Sequence, residues 1–133
     1  RPRRLGGTVV RVLLDTHALL WALADDERLS PSAREVIVDE TNDVLVSVVS
    51  AWEIAVKRAL GRLEAPDNLQ SVVAEAGFLQ RLVLFGDCKR LSKLPPIHRD
   101  PFDRMLVCQA LEEGIPVVTL DPMIASYPVQ TIW

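Results

Sequence analysis

The sequence predicts an α/β fold, a three-layer α/β/α sandwich around a mostly parallel central sheet. Segments with the pattern of strands alternate with segments with the pattern of helices. The strand segments are apolar on both faces, as in sheets covered by helices on both sides. A chain of 133 residues that is 49% hydrophobic and 25% charged fits one domain with its own core. We expect this domain at 9–133, preceded by a flexible basic arm at 1–8.

The first half of the chain is predicted to run strand, helix, helix, strand, helix. The apolar run of the first strand is broken only by Arg11, and the second strand is rich in β-branched residues. Ser30 and Pro31 have the chemistry of an N-cap and a first helical residue, and Gly61 is a helix stop. The expected elements are strand 9–14, helix 16–24, helix 31–40, strand 44–48 and helix 51–60.

The second half is predicted to contain three helices and three strands. Gly77 stops the first of these helices, and Pro95 and Pro96 end the second. The third helix is the clearest, because its apolar residues recur with helical spacing and Gly114 follows as the C′ residue. The expected elements are helix 67–76, strand 78–85, helix 87–94, helix 101–113, strand 117–120 and strand 129–133.

Charge, hydropathy and cysteine content restrict the class of protein. The net charge is −3, but residues 1–10 hold three arginines and no acid, so the rest of the chain is more acidic than this value. An acidic body is unfavourable for nucleic-acid binding unless bound cations neutralise part of it. The apolar runs are too short to cross a bilayer and no signal peptide is visible. We therefore expect a cytoplasmic protein without membrane association, with Cys88 and Cys108 as reduced, partly buried thiols.

Two acids directly follow predicted strands. Asp15 follows strand 9–14, and Asp121 follows strand 117–120. In an open parallel sheet, ligands bind outside the carboxyl ends of the strands. Taken singly, each of these acids is better explained as a turn residue or as the N-cap of the next helix.

Two further acids lie in the first turns of predicted helices. Ser50 and Glu53 are spaced as a capping box, with Glu53 reaching back to the backbone N–H of Ser50. Asp100 and Asp103 have the same arrangement, with Pro101 at the first helical position. An acid at this place also interacts favourably with the helix dipole, so each has a structural explanation.

The combination of these acids favours a metal site. Strand carboxyl ends and helix N-termini share one edge of a βαβ arrangement, so we expect one crevice to be lined by Asp15, Glu53, Asp103 and Asp121. Clustered carboxylates repel one another unless a cation holds them. Mg²⁺ prefers oxygen ligands and retains waters, which can hydrolyse a phosphodiester. His17 and His98 are also expected near the crevice edge, either to assist a substrate or only to pack and cap.

Three blocks of sequence carry these acids and resemble the motifs of one family. LLDTHALLWAL at 13–23 resembles the first acidic motif of the PIN-domain ribonucleases, and SVVSAWEIAVKRALGRL at 47–63 resembles the second. HRDPFDRMLVCQALEEGIPVVTLD at 98–121 resembles the third and fourth run together. The resemblance extends over nearly the whole chain after residue 10. Within the family, the sequence looks like the VapC-type toxins of bacterial toxin–antitoxin pairs.

The resemblance implies a toxin endoribonuclease that cleaves RNA by Mg²⁺-assisted hydrolysis, with Mn²⁺ as a possible substitute, and leaves 5′-phosphate and 3′-hydroxyl ends. It further implies a cognate VapB-like antitoxin and a homodimer. The positions that match the family's catalytic, metal-binding acids are Asp15, Glu53, Asp103 and Asp121. Those that match substrate-binding or accessory positions are Thr16, Asp100 and Thr119. Capping is the favoured role for Asp100. Lys57, one turn beyond Glu53, would pair with an acid or contact RNA.

Several features leave alternatives open. Segment 77–94 is less typical of the family and predicts either a local basic patch or a solvated helix face, formed by Arg81, Lys89, Arg90 and Lys93. The tryptophans are candidates for an apolar contact surface or for the core, at Trp21, Trp52 and Trp133. The alternative function is a catalytically idle PIN-like module that binds RNA or a protein. A phosphoacceptor signalling domain is disfavoured, because it needs a second acid beside Asp15 and a lysine after the last strand.

Overall fold

The computed structural model describes residues 9–133, so the arm expected at 1–8 lies outside the described residues. Strands and helices alternate in this part of the chain, as the sequence predicts. The elements in chain order are β1 Arg11–Leu14, α1 Thr16–Leu23, α2 Pro31–Val38, β2 Asp43–Ser47, α3 Val48–Ala59, α4 Leu69–Glu75, β3 Leu79–Arg81, α5 Phe85–Leu91, α6 Pro101–Glu113, β4 Val117–Val118, α7 Pro122–Ala125 and β5 Thr131–Ile132.

The strands form one sheet in the order β3-β2-β1-β4-β5, and every pair of neighbours is parallel. The chain therefore builds the sheet outward from β1 to β3 and then returns to add β4 and β5 on the other side of β1. The strand order reverses between β1 and β4, which is the place where open α/β sheets bind ligands. The predicted parallel sheet is confirmed.

Helices cover both faces of the sheet, and each face has its own core. Successive side chains of a strand point to opposite faces. In β1, Leu13 accordingly packs with Val107 of α6, whereas Val12 and Leu14 pack in the other core with Ile37 of α2. The predicted three-layer sandwich is confirmed, because the inner strands β1, β2 and β4 are buried along nearly their whole length between the two layers of helices.

The helix ends mostly lie where local signals predict them. Helix α6 spans the predicted residues, with the Asp100 side chain accepting the N–H groups of Phe102 at 2.8 Å and Asp103 at 3.2 Å. Gly114 follows α6 with a φ of 69°, a left-handed conformation that glycine adopts without strain. Ser30 caps α2 in the predicted way. None of the helices described between residues 9 and 133 is both long and apolar enough to cross a membrane.

Helix α3 begins three residues earlier than the sequence predicts. Ser47, the last residue of β2, is its N-cap and accepts the N–H of Val49 at 3.0 Å. The predicted capping box of Ser50 and Glu53 is therefore wrong, since Ser50 is already inside the first turn. The error has a local cause: the two valines at 48–49 have strand propensity, but strand and helix join here without a loop.

The segment from β3 to α5 also differs from the prediction. The strand expected at 78–85 is only three residues long. Helix α5 begins at Phe85 rather than at Asp87, because the Asp87 side chain accepts the N–H of Leu84 at 2.8 Å and fixes the first turn.

The two cysteines are free thiols with different surroundings. Cys108 lies in the core, and burial raises the pKa of its thiol to about 11. Cys88 is exposed on the outer side of α5, so the partial burial predicted for it is wrong. The earlier start of α5 explains this, because Asp87 rather than its neighbour points inward.

Candidate active site

The crevice where the strand order reverses holds the acids predicted from sequence. Asp15 directly follows β1, and Asp121 is the N-cap of α7 after β4. Glu53 comes from α3 and Asp103 from the first turn of α6. The pKa of Asp103 is raised to about 7, first by burial and then by the charges of the surrounding acids, Asp100, Glu53, Asp121 and Asp15. Acids from distant parts of the sequence therefore converge on Asp103.

Asp15 is buried and held by hydrogen bonds at both carboxylate oxygens. Its Oδ1 accepts the N–H of Ala18 at 2.7 Å, which caps α1, and its Oδ2 accepts the hydroxyl of Thr119 at 2.5 Å. Burial raises the pKa of Asp15, although both hydrogen bonds oppose this. Thr119 Oγ1 also accepts the N–H of Asp121 at 2.9 Å. Thr119 thus links the acid that follows β1 to the acid that follows β4.

Glu53 is 3% exposed and is also held at both oxygens. Thr16 donates its hydroxyl to Oε1 at 2.5 Å, and Lys57 donates to Oε2 at 2.5 Å from one turn further along α3. The hydrogen bond to Glu53 raises the pKa of Lys57. Of the two roles predicted for Lys57, pairing with an acid is therefore the one seen in the structure. Ser50 Oγ lies 3.1 Å from Thr16 Oγ1 and adds a contact between α1 and α3.

Asp103 and Asp121 meet His98 at the more open side of the crevice. His98 Nε2 lies 3.1 Å from Asp103 Oδ2 and 3.9 Å from Asp121 Oδ2. The sequence predicts His98 near this edge but not its contact with two acids. No local signal could have found it, because the loop is anchored by a hydrogen bond from the backbone N–H of His98 to Tyr127 Oη, 29 residues along the chain.

Asp100 has the capping geometry that the sequence favours. Its Oδ1 accepts two N–H groups of the first turn of α6, and it lies close enough to Asp103 for its charge to raise the pKa of that carboxyl. Asp100 therefore stabilises the helix that carries Asp103 while adding to the negative charge of the crevice.

The donor set of the crevice fits a divalent cation. One donor atom from each of His98, Asp103 and Asp121 lies within 4.8 Å of the others. The carboxylates are hard oxygen ligands of the kind that Mg²⁺ and Mn²⁺ prefer. Lys57 is ion-paired with Glu53, and repulsion from the neighbouring acids adds to burial in raising the pKa of Asp103. A bound cation would remove that repulsion.

Only three of the four basic residues predicted for a surface patch in 77–94 lie at the surface. Arg81 is buried, where it pairs with Asp87 and Glu113, so it belongs to the core rather than to the surface. The other three basic residues line a surface pocket of about 380 Å³ beside α5, in which Arg90 pairs with Glu112.

The tryptophans divide between the two predicted roles. Trp21 and Trp133 pack edge-to-face with ring centroids 5.6 Å apart, against the core that contains α1. His17 stacks at a tilt on Trp21 and is exposed, yet it lies close enough to Asp15 for its charge to act on the pKa of that acid. Trp52 is 61% exposed and packs edge-to-face on Phe102, so it forms part of the surface beside Glu53 and Asp103.

Comparison with known proteins gives two sequence matches. A sequence profile of the PIN domain matches residues 12–129. Ribonuclease VapC22 of Mycobacterium tuberculosis is 27% identical to this chain over 137 residues, covering 92% of this chain and 98% of that protein.

The structure is similar to a solved complex. The crystal structure of VapBC2 from Rickettsia felis, bound to a DNA fragment from their promoter, contains a chain that superposes with a TM-score of 0.64 at 12% identity. The match covers 92% of this chain and 97% of that one. At this identity the similarity shows that the two chains share a fold.

Proposed function

The chain belongs to the PIN-domain family, and on that premise we propose that it is the endoribonuclease toxin of a toxin–antitoxin pair. Its similarity to Ribonuclease VapC22 over nearly the full length of both proteins supports ribonuclease activity. The observation that carries the proposal is the convergence of separate acids on Asp103 at the point where the strand order reverses. A group of carboxylates at this place is suited to a divalent cation and a phosphate substrate.

We assign the cation to the four acids Asp15, Glu53, Asp103 and Asp121, with Mg²⁺ as the cofactor and Mn²⁺ as a substitute. When bound, the cation supplies a water of lowered pKa and offsets the negative charge of the scissile phosphate. Donor atoms of Asp103 and Asp121 lie close enough together to share a cation, which supports these two acids as ligands. Asp15 and Glu53 are assigned because their charges act on Asp103, although both oxygens of each already accept hydrogen bonds.

Hydroxyl groups arrange the inner part of the crevice. Thr119 and Thr16 donate to the buried acids Asp15 and Glu53 and keep each carboxylate in one orientation. The other two acids have 14% and 33% of their side chains exposed, so the RNA phosphate approaches from their side. The threonines are accordingly accessory residues that act through the acids.

The proposed reaction is hydrolysis of a phosphodiester bond. The oxygen of a water molecule bonds to phosphorus, the bond between phosphorus and the 3′-oxygen breaks, and the 3′-oxygen takes up a proton. The products are a 5′-phosphate and a 3′-hydroxyl. The acidic crevice repels the RNA backbone on its own, so productive binding depends on the cation as well.

We propose a VapB-like antitoxin as the protein partner, a homodimer as the assembly and the cytoplasm as the location. The similarity of the fold to a chain of the VapBC2 complex supports the antitoxin. The homodimer is supported by an apolar stripe on α3, in which Trp52, Val56 and Leu60 recur every four residues and are all exposed.

The proposal is tested by incubating a mixed RNA pool with the protein and Mg²⁺, Mn²⁺ or EDTA. The wild type is compared with Asp103→Asn and with Asp67→Asn, a control that removes an exposed acid paired with Arg58. We expect cleavage with either metal, none with EDTA, none by Asp103→Asn and full cleavage by Asp67→Asn. Cleavage that survives EDTA or the loss of the Asp103 carboxylate would contradict the mechanism. RNA binding without cleavage under all conditions would favour the idle module.

A further inference from the structure

His98 is one of two histidines in the chain, and its ring lies against two of the acids proposed to hold the cation. Its Nε2 has two possible uses. A lone pair on Nε2 would make His98 a metal ligand, whereas a proton on Nε2 would make it a hydrogen-bond donor to Asp103. The tautomer of the ring decides between them.

The position of the ring is fixed by a network around Tyr127. The backbone N–H of His98 donates to Tyr127 Oη at 2.7 Å, and Tyr127 is almost fully buried. Arg104 of α6 donates to the same oxygen at 3.1 Å and to the carbonyl of Pro95 at 2.9 Å. The loop before α6 is thereby tied both to α6 and to the segment after α7, so His98 has a defined place beside Asp103.

The other ring nitrogen identifies the tautomer. Arg99 donates its backbone N–H to His98 Nδ1 at 3.0 Å, so Nδ1 carries a lone pair and no proton. In a neutral imidazole the proton must then be on Nε2. Nε2–H points at Asp103 Oδ2, 3.1 Å away, and a protonated nitrogen has no lone pair for a cation.

We propose that His98 is a positioning residue, which donates Nε2–H to Asp103 Oδ2 and leaves Oδ1 of Asp103 as the oxygen available to the cation. His98 itself is not a metal ligand, although it lies close enough to Asp103 and Asp121 to share a cation with them. The inference rests on the proposed function in that it takes Asp103 as a ligand. Hydrogen-bond partners of metal ligands typically change metal affinity by about 10–100-fold when they are removed.

The tautomer can be measured directly by ¹⁵N NMR of the imidazole rings at pH 8, with and without Mg²⁺. Only His17 and His98 contribute signals, so His17→Gln assigns them. We expect the Nε2–H form of His98 in both conditions. A proton on Nδ1 in either condition would overturn the proposal, because Nε2 would then be available to ligate the cation.

Mn²⁺ affinity, measured by titration calorimetry, tests the role of the donor without reference to RNA cleavage. We expect about tenfold weaker binding for His98→Ala and recovery to within about threefold for His98→Gln, which places an amide N–H near the position of Nε2–H. Asp67→Asn, the control at an exposed acid paired with Arg58, should bind as the wild type does. Equal losses in His98→Ala and His98→Gln would contradict the positioning role. A wild type that binds no Mn²⁺ would contradict the proposed function instead, and the tautomer would still decide the present inference.

Discussion

Residues 9–133, the part of the chain that the structure describes, contain two groups of charged residues that are largely buried, and these groups differ in charge balance. In the crevice, four acids and the capping Asp100 face one lysine and the imidazole of His98. Beneath α5 and α6, Arg81 donates to both oxygens of Asp87 at 2.9 and 2.8 Å and to Glu113 at 2.7 Å. We call the second group the Arg81 cluster.

The pKa of an aspartate is shifted in opposite directions in the two groups. Burial works against the charge of Asp87, but hydrogen bonds from Arg81 and from the N–H of Leu84 lower its pKa overall. Burial also acts on Asp103, where its acidic neighbours add to it, and the pKa rises to about 7. Burial of an acid therefore does not by itself indicate a functional site. A functional site is indicated where a buried acid lacks a basic partner that balances its charge.

Breaking the Arg81 cluster should have the largest effect. Arg81→Leu leaves Asp87 buried without its partner, so we expect the free energy of unfolding in urea to fall by about 3–5 kcal/mol. Arg58→Gln, which removes an arginine from an exposed pair with Asp67, is the control and should leave stability unchanged within error. An Arg81→Leu variant as stable as the wild type would show that the cluster is not needed to hold α5 and α6 together.

Replacing an aspartate by asparagine should change the free energy of unfolding in opposite directions in the two groups. Asp103→Asn removes a repelled charge, so in EDTA at pH 8 it should stabilise the protein by about 1–3 kcal/mol. This is less than the roughly 4 kcal/mol that a shift from 3.8 to about 7 represents, because Asn replaces the charged partner of His98. Asp87→Asn should destabilise the protein under the same conditions. Urea unfolding of both variants gives the comparison, and destabilisation by both would contradict it.

The dependence of stability on pH should separate the same two residues. The folded state binds a proton at Asp103 between the unfolded pKa of 3.8 and about 7, so the free energy of unfolding falls as pH rises through this window. The stability supplied by Asp87 is present above 3.8 and is lost as pH falls through its lowered folded pKa. Asp103→Asn should reduce the decline above pH 4, of which Asp15 supplies the rest, and Asp87→Asn should reduce the loss in acid. Identical profiles for both variants would contradict the assignment.

A smaller effect is expected at Thr119. Thr119→Val keeps the shape of the side chain but leaves Asp15 without its hydroxyl donor, so stability should fall by about 1–2 kcal/mol and Mn²⁺ binding should weaken. Thr119→Ser retains the hydroxyl and should resemble the wild type in both measurements. If valine and serine behave alike, the hydroxyl does not hold Asp15.

The features that the sequence predicts well are those with a local cause. Helix α6 has its cap, its proline and its terminal glycine within its own segment, so its bounds could be predicted to the residue. Three of the acids could be placed on one edge because Asp15 and Asp121 follow strands and Asp103 lies in the first turn of α6. The sequence predicts Glu53 in a first turn as well, but the earlier start of α3 puts it in the second turn. Their hydrogen-bond partners are only partly local: Lys57 lies one turn from Glu53, whereas Thr119 is 104 residues from Asp15.

The features that the sequence does not predict depend on distant contacts. The sequence predicts Arg81 as a surface base, but in the structure it is buried against Asp87 and Glu113, the second of which is 32 residues away. The start of α3 depends on Ser47, which pairs with Arg81 of β3 as the last residue of β2 and also caps the helix, and the two valines after it give a misleading strand signal. His98 takes its place from Tyr127, which no spacing rule connects to it.

The most direct test of the cation site is a crystal grown with Mn²⁺ and measured at the manganese absorption edge. We expect an anomalous difference peak in the crevice from a Mn²⁺ ion within bonding distance of carboxylate oxygens of Asp103 and Asp121, with His98 Nε2 hydrogen-bonded to Asp103 rather than ligating the ion. The peak should vanish in Asp103→Asn. A well-ordered crevice without a peak at saturating Mn²⁺, or a peak that persists in Asp103→Asn, would contradict the claim that this unbalanced group of acids is a metal site.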